Sequence, residues 1–148
     1  MKKTLTGMIA ALFIFAGSAP AKAGYYDTAV SVRYANENIA WGWYHTALQM
    51  HLADYYNYID WGLIYNAWIN AVSARDQAWW AWWNAPSYSH AEYWALQAYY
   101  QLAAAEQNLW VVYVYGGQYP GYTTNALANA TWGQIFLSYA GQAAAGWY

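Results

Sequence analysis

The sequence predicts an all-α protein of three to four helices in antiparallel hairpins, and three observations predict it. Residues 27–83 hold no proline and are rich in Ala and Trp, and an alanine-rich stretch without proline favours helix. Polar residues recur there at helical spacing: Asn38, Gly42, His45 and Gln49, then Asn66, Asn70, Ser73 and Gln77, each set stepping by four, three and four. Finally, Pro86 followed by Ser89-His90-Ala91-Glu92 marks one helix stopping and another starting within a few residues.

Residues 1–23 read as a secretory leader to be cleaved, and they are set aside from the fold. Lys2 and Lys3 form its positive start, and Ala21-Lys22-Ala23 is a small-x-small cleavage site before Gly24. The apolar stretch Leu5–Ala16 between them is too short to cross ~30 Å of hydrocarbon. Residues 24–148 are expected to form a single helical domain.

Within that domain, Asp27 or Thr28 is placed to cap the first helix, and Arg33 and Glu37 stand at the i,i+4 spacing of an ion pair. Projected at ~100° per residue, the two polar stripes are offset by roughly a quarter turn. Something must absorb that offset near Asp60-Trp61-Gly62, where a glycine in a helix interior costs ~1 kcal/mol. The region is therefore expected as two helices, about 27–59 and 63–84, or as one kinked helix. The apolar rows would line the packed faces. These are Trp41, Tyr44, Leu48, Leu52, Tyr55 and Ile59 early, then Trp61, Tyr65, Trp68, Val72, Trp79 and Trp83.

After Pro86, Ser89 and Glu92 form a capping box. The helix it opens begins at His90 and runs through Tyr93, Leu96, Tyr100 and Ala103 to about Asn108, antiparallel to the one before. Leu109–Tyr115 (LWVVYVY) has strand-favouring side chains but no hairpin partner, and we read it as continuing the helix. Gly116–Gly121 is a loop. Thr123 or Thr124 caps a last helix, roughly Asn125–Ala140, with Trp132, Ile135, Phe136 and Tyr139 on one side. The terminal AGQAAAGWY is expected to be small and flexible apart from its Trp147-Tyr148.

Composition narrows the function. All twelve Trp and eighteen Tyr lie after residue 23, and thirty such rings are more than a domain of this size can enclose. Many must reach the surface, where contiguous apolar patches mark interaction sites. Without Lys2, Lys3 and Lys22 the cations are Arg33 and Arg75 alone, against seven acids, a formal charge of −5. Two cations cannot neutralise a phosphate backbone or hold an anionic lipid surface, so no nucleic-acid partner is expected. The chain has no cysteine, so packing, a partner or a polymer must stabilise it in place of disulfides.

Sites of known chemistry are sparse. His45 and His51 are six apart and so fall on different helix faces; His51 and Asp54 are three apart, but no third ligand stands at a fixed offset, and no metal is expected. The acids follow no Glu-x-x-His pattern, and neither G-x-S-x-G nor H-E-x-x-H occurs, so neither catalysis nor a cofactor is expected. Arg75-Asp76 lies amid the tryptophans, which places one of the two near buried rings, paired with a neighbouring chain.

The aromatics peak in Gln77–Ser89 (QAWWAWWNAPSYS). Interface or ligand-stacking candidates are Trp79, Trp80, Trp82 and Trp83, with Trp61 and Trp68 farther back. Trp79 and Trp83 continue the row from Trp61 and are expected to pack on the following helix. Trp80 and Trp82 point away from it and are expected to meet another molecule. Because the rings are spread over nearly every helical segment, they favour packing between copies over one pocket. The sequence thus predicts an exported structural protein, secreted or extracytoplasmic, with a bacterial-type leader. It would self-assemble through aromatic helix faces as the subunit of a filament, sheet or surface layer, a homo-oligomer or polymer. The alternatives are a secreted module binding carbohydrate or another planar ligand on its Trp and Tyr platforms, and a membrane-active secreted protein acting at the lipid surface.

Overall fold

The computed structural model describes residues 20–115 and 120–146. Four helices follow one another: α1 Pro20–Tyr56, α2 Trp61–Asn84, α3 His90–Tyr115 and α4 Pro120–Ala144, with no strand among the described residues. Each helix packs on the next and α4 returns to α1, while α1 and α3 lie across a diagonal and barely meet. The all-α expectation of antiparallel hairpins therefore holds, with four helices closing into an up-down bundle.

The two-helix alternative for residues 27–84 is the one realised, with its break slightly earlier than expected. The chain leaves α1 at Tyr56, and Asn57 takes a left-handed conformation (φ 50°) that asparagine tolerates. Asp60 caps α2, its side chain accepting from the Leu63 amide at 3.1 Å, so Gly62 lies inside the first turn of α2. Asp60→Ala is expected to lower stability by ~1 kcal/mol in urea titrations; no change would mean that another group satisfies the α2 terminus.

Several boundaries move. Residues 1–19 of the expected leader lie outside the described residues, and α1 already runs from Pro20. Asp27 and Thr28 are thus interior to α1 and cap nothing. Thr28 is buried, its hydroxyl bonding the Gly24 carbonyl at 2.7 Å and the Ala81 carbonyl at 3.3 Å. The Arg33–Glu37 pair forms at 3.0 Å on the surface. α3 begins at His90 and continues through Leu109–Tyr115 as expected of a helix. Of the expected loop Gly116–Gly121, residues 116–119 lie outside the described residues, but Pro120 and Gly121 belong to the first turn of α4, where the fixed φ of proline suits a helix start. Thr123 is consequently buried inside α4 and does not cap it. α4 runs on to Ala144, so most of the terminal segment is helical and only Trp147-Tyr148 lie outside the described residues.

The larger correction concerns which face is inside. The buried residues of α2 are Ile64, Ala67, Ala71, Ala74, Ala78 and Ala81, alternating steps of three and four. On α3 they include Ala91, Ala95, Ala98, Leu102, Ala105, Leu109 and Val112, again three and four. α1 contributes Thr28, Val32, Ala35, Ile39, Thr46 and Gln49, and α4 Ala126, Ala130, Leu137 and Ala140. This is the seam spacing of a coiled coil filled with small side chains.

The expected tryptophan and tyrosine rows lie outside that seam. In α1 the supposed polar stripe is partly the core face, since Gly42 and Gln49 are buried while Trp41 and Tyr44 are exposed. Small residues let the helices approach closely. A Cβ on Gly42 would lie 3.3 Å from the Ala67 carbonyl oxygen, and one on Gly133 would lie 2.5 Å from the Leu102 methyl Cδ2. An alanine core contributes little per residue, at ~0.8 kcal/mol per buried methylene-sized group. Half-buried rings at its edges, including Trp68, Trp82, Trp94, Tyr99 and Phe136, supply much of the remaining apolar burial.

Candidate functional site

With alanine inside, the bundle wears its rings outside. Of the twenty exposed large hydrophobic residues among those described, eighteen are Trp or Tyr, and they occur on all four helices. They are organised by the seams between helices. Trp61, Trp68, Arg75 and Trp82 recur every seven residues and place one row of α2 along α3. Trp61 meets Tyr113 edge-on at 6.1 Å, while Trp68 lies 5.0 Å from Trp110 and stacks on Tyr113 at 6.0 Å and 8°.

Two turns further along that row, Arg75 bonds Glu106 on α3 at 2.5 Å and Asp76 at 2.9 Å. Both carboxylates that pair with Arg75 belong to its own chain. Burial pulls the Arg75 guanidinium down, but hydrogen bonds and attraction to Asp76 and Glu106 hold it above its ordinary value. It stays charged.

Polar register between helices is set by amides. Asn108 donates to Asn129 at 3.1 Å and Asn129 donates to Gln101 at 2.9 Å, linking α3 to α4. The Trp43 indole donates to Thr131 at 3.1 Å, linking α1 to α4.

The six candidate tryptophans divide differently from expectation. Trp79 and Trp83 stack on each other at 5.4 Å and 13°, with Trp80 edge-on to Trp79 at 4.9 Å. Trp82, expected to point away from α3, packs against the alanine core and faces residues of α3. It also forms one wall of a cleft of about 640 Å³, whose other walls include Tyr88, His90, Glu92, Tyr93 and Trp94. Trp80 is exposed, and Trp61 and Trp68 belong to the cluster with Tyr113.

The cleft is built by the α2–α3 turn. Ser89 accepts from the Glu92 amide at 3.1 Å, which is half of the expected capping box. The other half is redirected: Glu92 reaches past Ser89 and accepts from the Tyr88 amide at 2.6 Å. Tyr88 adopts φ 65°, a left-handed conformation costing ~1 kcal/mol in a residue with a Cβ, and its side chain is 91% exposed. A carboxylate thus clamps a strained turn that holds an aromatic ring out into solvent at the rim of the cleft. Glu92 lines that cleft although it is only 7% exposed.

Sequence reasoning did not single out Tyr88, Glu92, Tyr93 or Trp94 as a group. The only local signal was that they flank the turn that Pro86 and Ser89 announce.

Elsewhere, His51 packs on Tyr55 at 4.7 Å and His45 lies on Trp41 at 6.0 Å, so both imidazoles sit among rings. Among the described residues no three His, Asp or Glu side chains converge as metal ligands, and no helix is long and apolar enough to cross a membrane. Comparison with protein families, with curated proteins and with solved structures finds no match for this chain.

Proposed function

We propose that this protein is an exported structural subunit that assembles with copies of itself through its aromatic exterior. One observation carries the reading: the alanine-rich seam closes the core with only a few half-buried rings at its edges, and eighteen Trp and Tyr side chains among the described residues stay exposed around the bundle. Tyr and Trp offer broad apolar contact area with few rotatable bonds and a polar tip for hydrogen bonding. Few charges stand between them, so approaching copies meet little repulsion. Assembly in this reading adds contacts to an already closed bundle, where the sequence alone implied that assembly would complete the core.

The purified chain is expected to show concentration-dependent growth in sedimentation velocity and ordered polymers in electron micrographs. A protein that stays monomeric at high concentration and yields no ordered material would overturn the proposal.

A second reading, a module for carbohydrate or another planar ligand, is supported by the ring-lined cleft at Trp82, Tyr93 and Trp94. It predicts tryptophan fluorescence quenching by soluble polysaccharide that saturates, and that is lost in Trp94→Ala.

A further inference from the structure

We infer that Tyr26 and Tyr88 at one end of the bundle, and Tyr55 and Tyr56 at the other, are sites of oxidative cross-linking that join copies end to end as dityrosine. This rests on the assembly reading and adds a covalent step to it.

Exposure sorts the rings by position. Tyr88, Tyr55, Tyr26 and Tyr56 are 91%, 76%, 71% and 69% exposed, and no other large ring among the described residues exceeds the 59% of Trp41. All four lie at the ends of the bundle. Tyr55 and Tyr56 close α1 before the turn into α2, while Tyr88 stands in the turn from α2 to α3. Tyr26 shares the Tyr88 end, because the start of α1 lies beside the finish of α2: a Cβ on Gly24 would come within 2.8 Å of the Asn84 carbonyl oxygen. The 24 residues of α2 separate the two ends by roughly 36 Å. A bond between opposite ends must therefore join two molecules.

Phenols this open can meet edge to edge, as the coupling requires. Each phenol gives up one electron and one proton. The two radicals then join through the ring carbons beside their hydroxyls, and the hydrogens on those carbons shift to oxygen and restore both phenols. The two electrons and two protons reduce one hydrogen peroxide to two waters, so the oxidant is peroxide delivered by a peroxidase. Competing sulfur groups are few: the chain has no cysteine and, beyond residue 23, the single methionine Met50. Indoles also give up electrons, but Trp79 and Trp83 stack on each other, Trp68 lies against Trp110, and none is as open as the end phenols. With phenols at both ends each copy is bifunctional, and coupling extends a linear chain.

The purified chain is treated with a haem peroxidase and hydrogen peroxide and then separated in denaturant. Wild type is expected to show dityrosine fluorescence and a ladder of covalent oligomers, with linked peptides in mass spectra that contain Tyr26, Tyr55, Tyr56 or Tyr88. Tyr26→Phe combined with Tyr88→Phe keeps both rings and removes the phenols of one end, so growth is expected to stop chiefly at covalent pairs. Changing all four to Phe is expected to abolish the ladder. Tyr34→Phe and Tyr100→Phe, at exposed positions midway along α1 and α3, are expected to leave it unchanged. Circular dichroism confirms that each variant keeps its helices. A wild-type chain that forms no covalent oligomers overturns this inference, as does a four-site variant with the wild-type ladder or a set of links spread evenly over flanks and ends. In those cases polymers formed without peroxide still uphold the assembly reading. A chain that never associates without peroxide overturns the assembly reading, while links confined to the ends would still support the coupling.

Discussion

Ala78→Leu is expected to destabilise the bundle by about 3 kcal/mol, more than the loss of an entire indole from the neighbouring surface. Ala78 is fully buried in the seam of α2, and Ala71, Ala74 and Ala81 on either side are equally enclosed. Helices packed on alanine leave no space for an added isobutyl group, so α2 must be displaced from its neighbours or the side chain forced out of its rotamers. Trp80, two residues on, is 48% exposed and meets Trp79 edge-on. Trp80→Ala should cost less than about 1.5 kcal/mol, the range of one aromatic pair. Urea denaturation followed by far-ultraviolet circular dichroism would compare the two. The order is the reverse of that in an ordinary globular core. A Trp80→Ala variant less stable than Ala78→Leu would show that the rings, and not the alanines, hold the bundle together.

This inversion explains what the sequence disclosed and what it concealed. Ala67, Ala71, Ala74, Ala78 and Ala81 stand in the primary structure at steps of four, three, four and three, so the seam was legible. It was outweighed because transfer free energy scales with apolar area, which directs attention to the largest side chains. Steric volume decided the matter instead: indoles cannot fit between helices spaced by alanine, and they move to the edges. Local signals survived this error. The Ser89–Glu92 start of α3, the Arg33–Glu37 pair and the helicity of Leu109–Tyr115 depend on residues close in sequence, and each is realised.

The cleft was not legible. It requires Trp82 of α2 to meet Tyr93 and Trp94 of α3, which follows only once the seam fixes which faces adjoin. The same holds for Arg75, whose partner Glu106 lies thirty-one residues away in its own chain.

Gln49→Leu is expected to cost about 2–3 kcal/mol and to loosen the α1–α2 turn selectively. Gln49 is 4% exposed, and its amide serves both sides of that turn. Nε2 donates to the Tyr58 carbonyl at 3.1 Å, and Oε1 accepts from the Asp60 amide at 2.8 Å. Leucine matches the side chain in size yet offers neither atom, so two backbone groups of the turn lose their side-chain partners at once. The left-handed Asn57 and the Asp60 cap are held in the same short connection. Hydrogen exchange at the Asp60 amide should accelerate in the variant, while amides of the α2–α3 turn stay unchanged. Trp61 follows Asp60 directly and meets Tyr113, so loosening should also reach the exterior cluster of Trp61, Tyr65, Trp68, Trp110 and Tyr113 as altered tryptophan emission. Gln49→Glu keeps the acceptor for Asp60 but sets a shielded carboxylate against the Tyr58 carbonyl, so it should cost at least as much as Gln49→Leu. If Gln49→Leu proves neutral, solvent satisfies the turn and the amide is dispensable. If it destabilises without faster exchange at Asp60, the loss is one of packing in the core face of α1 and not of the turn.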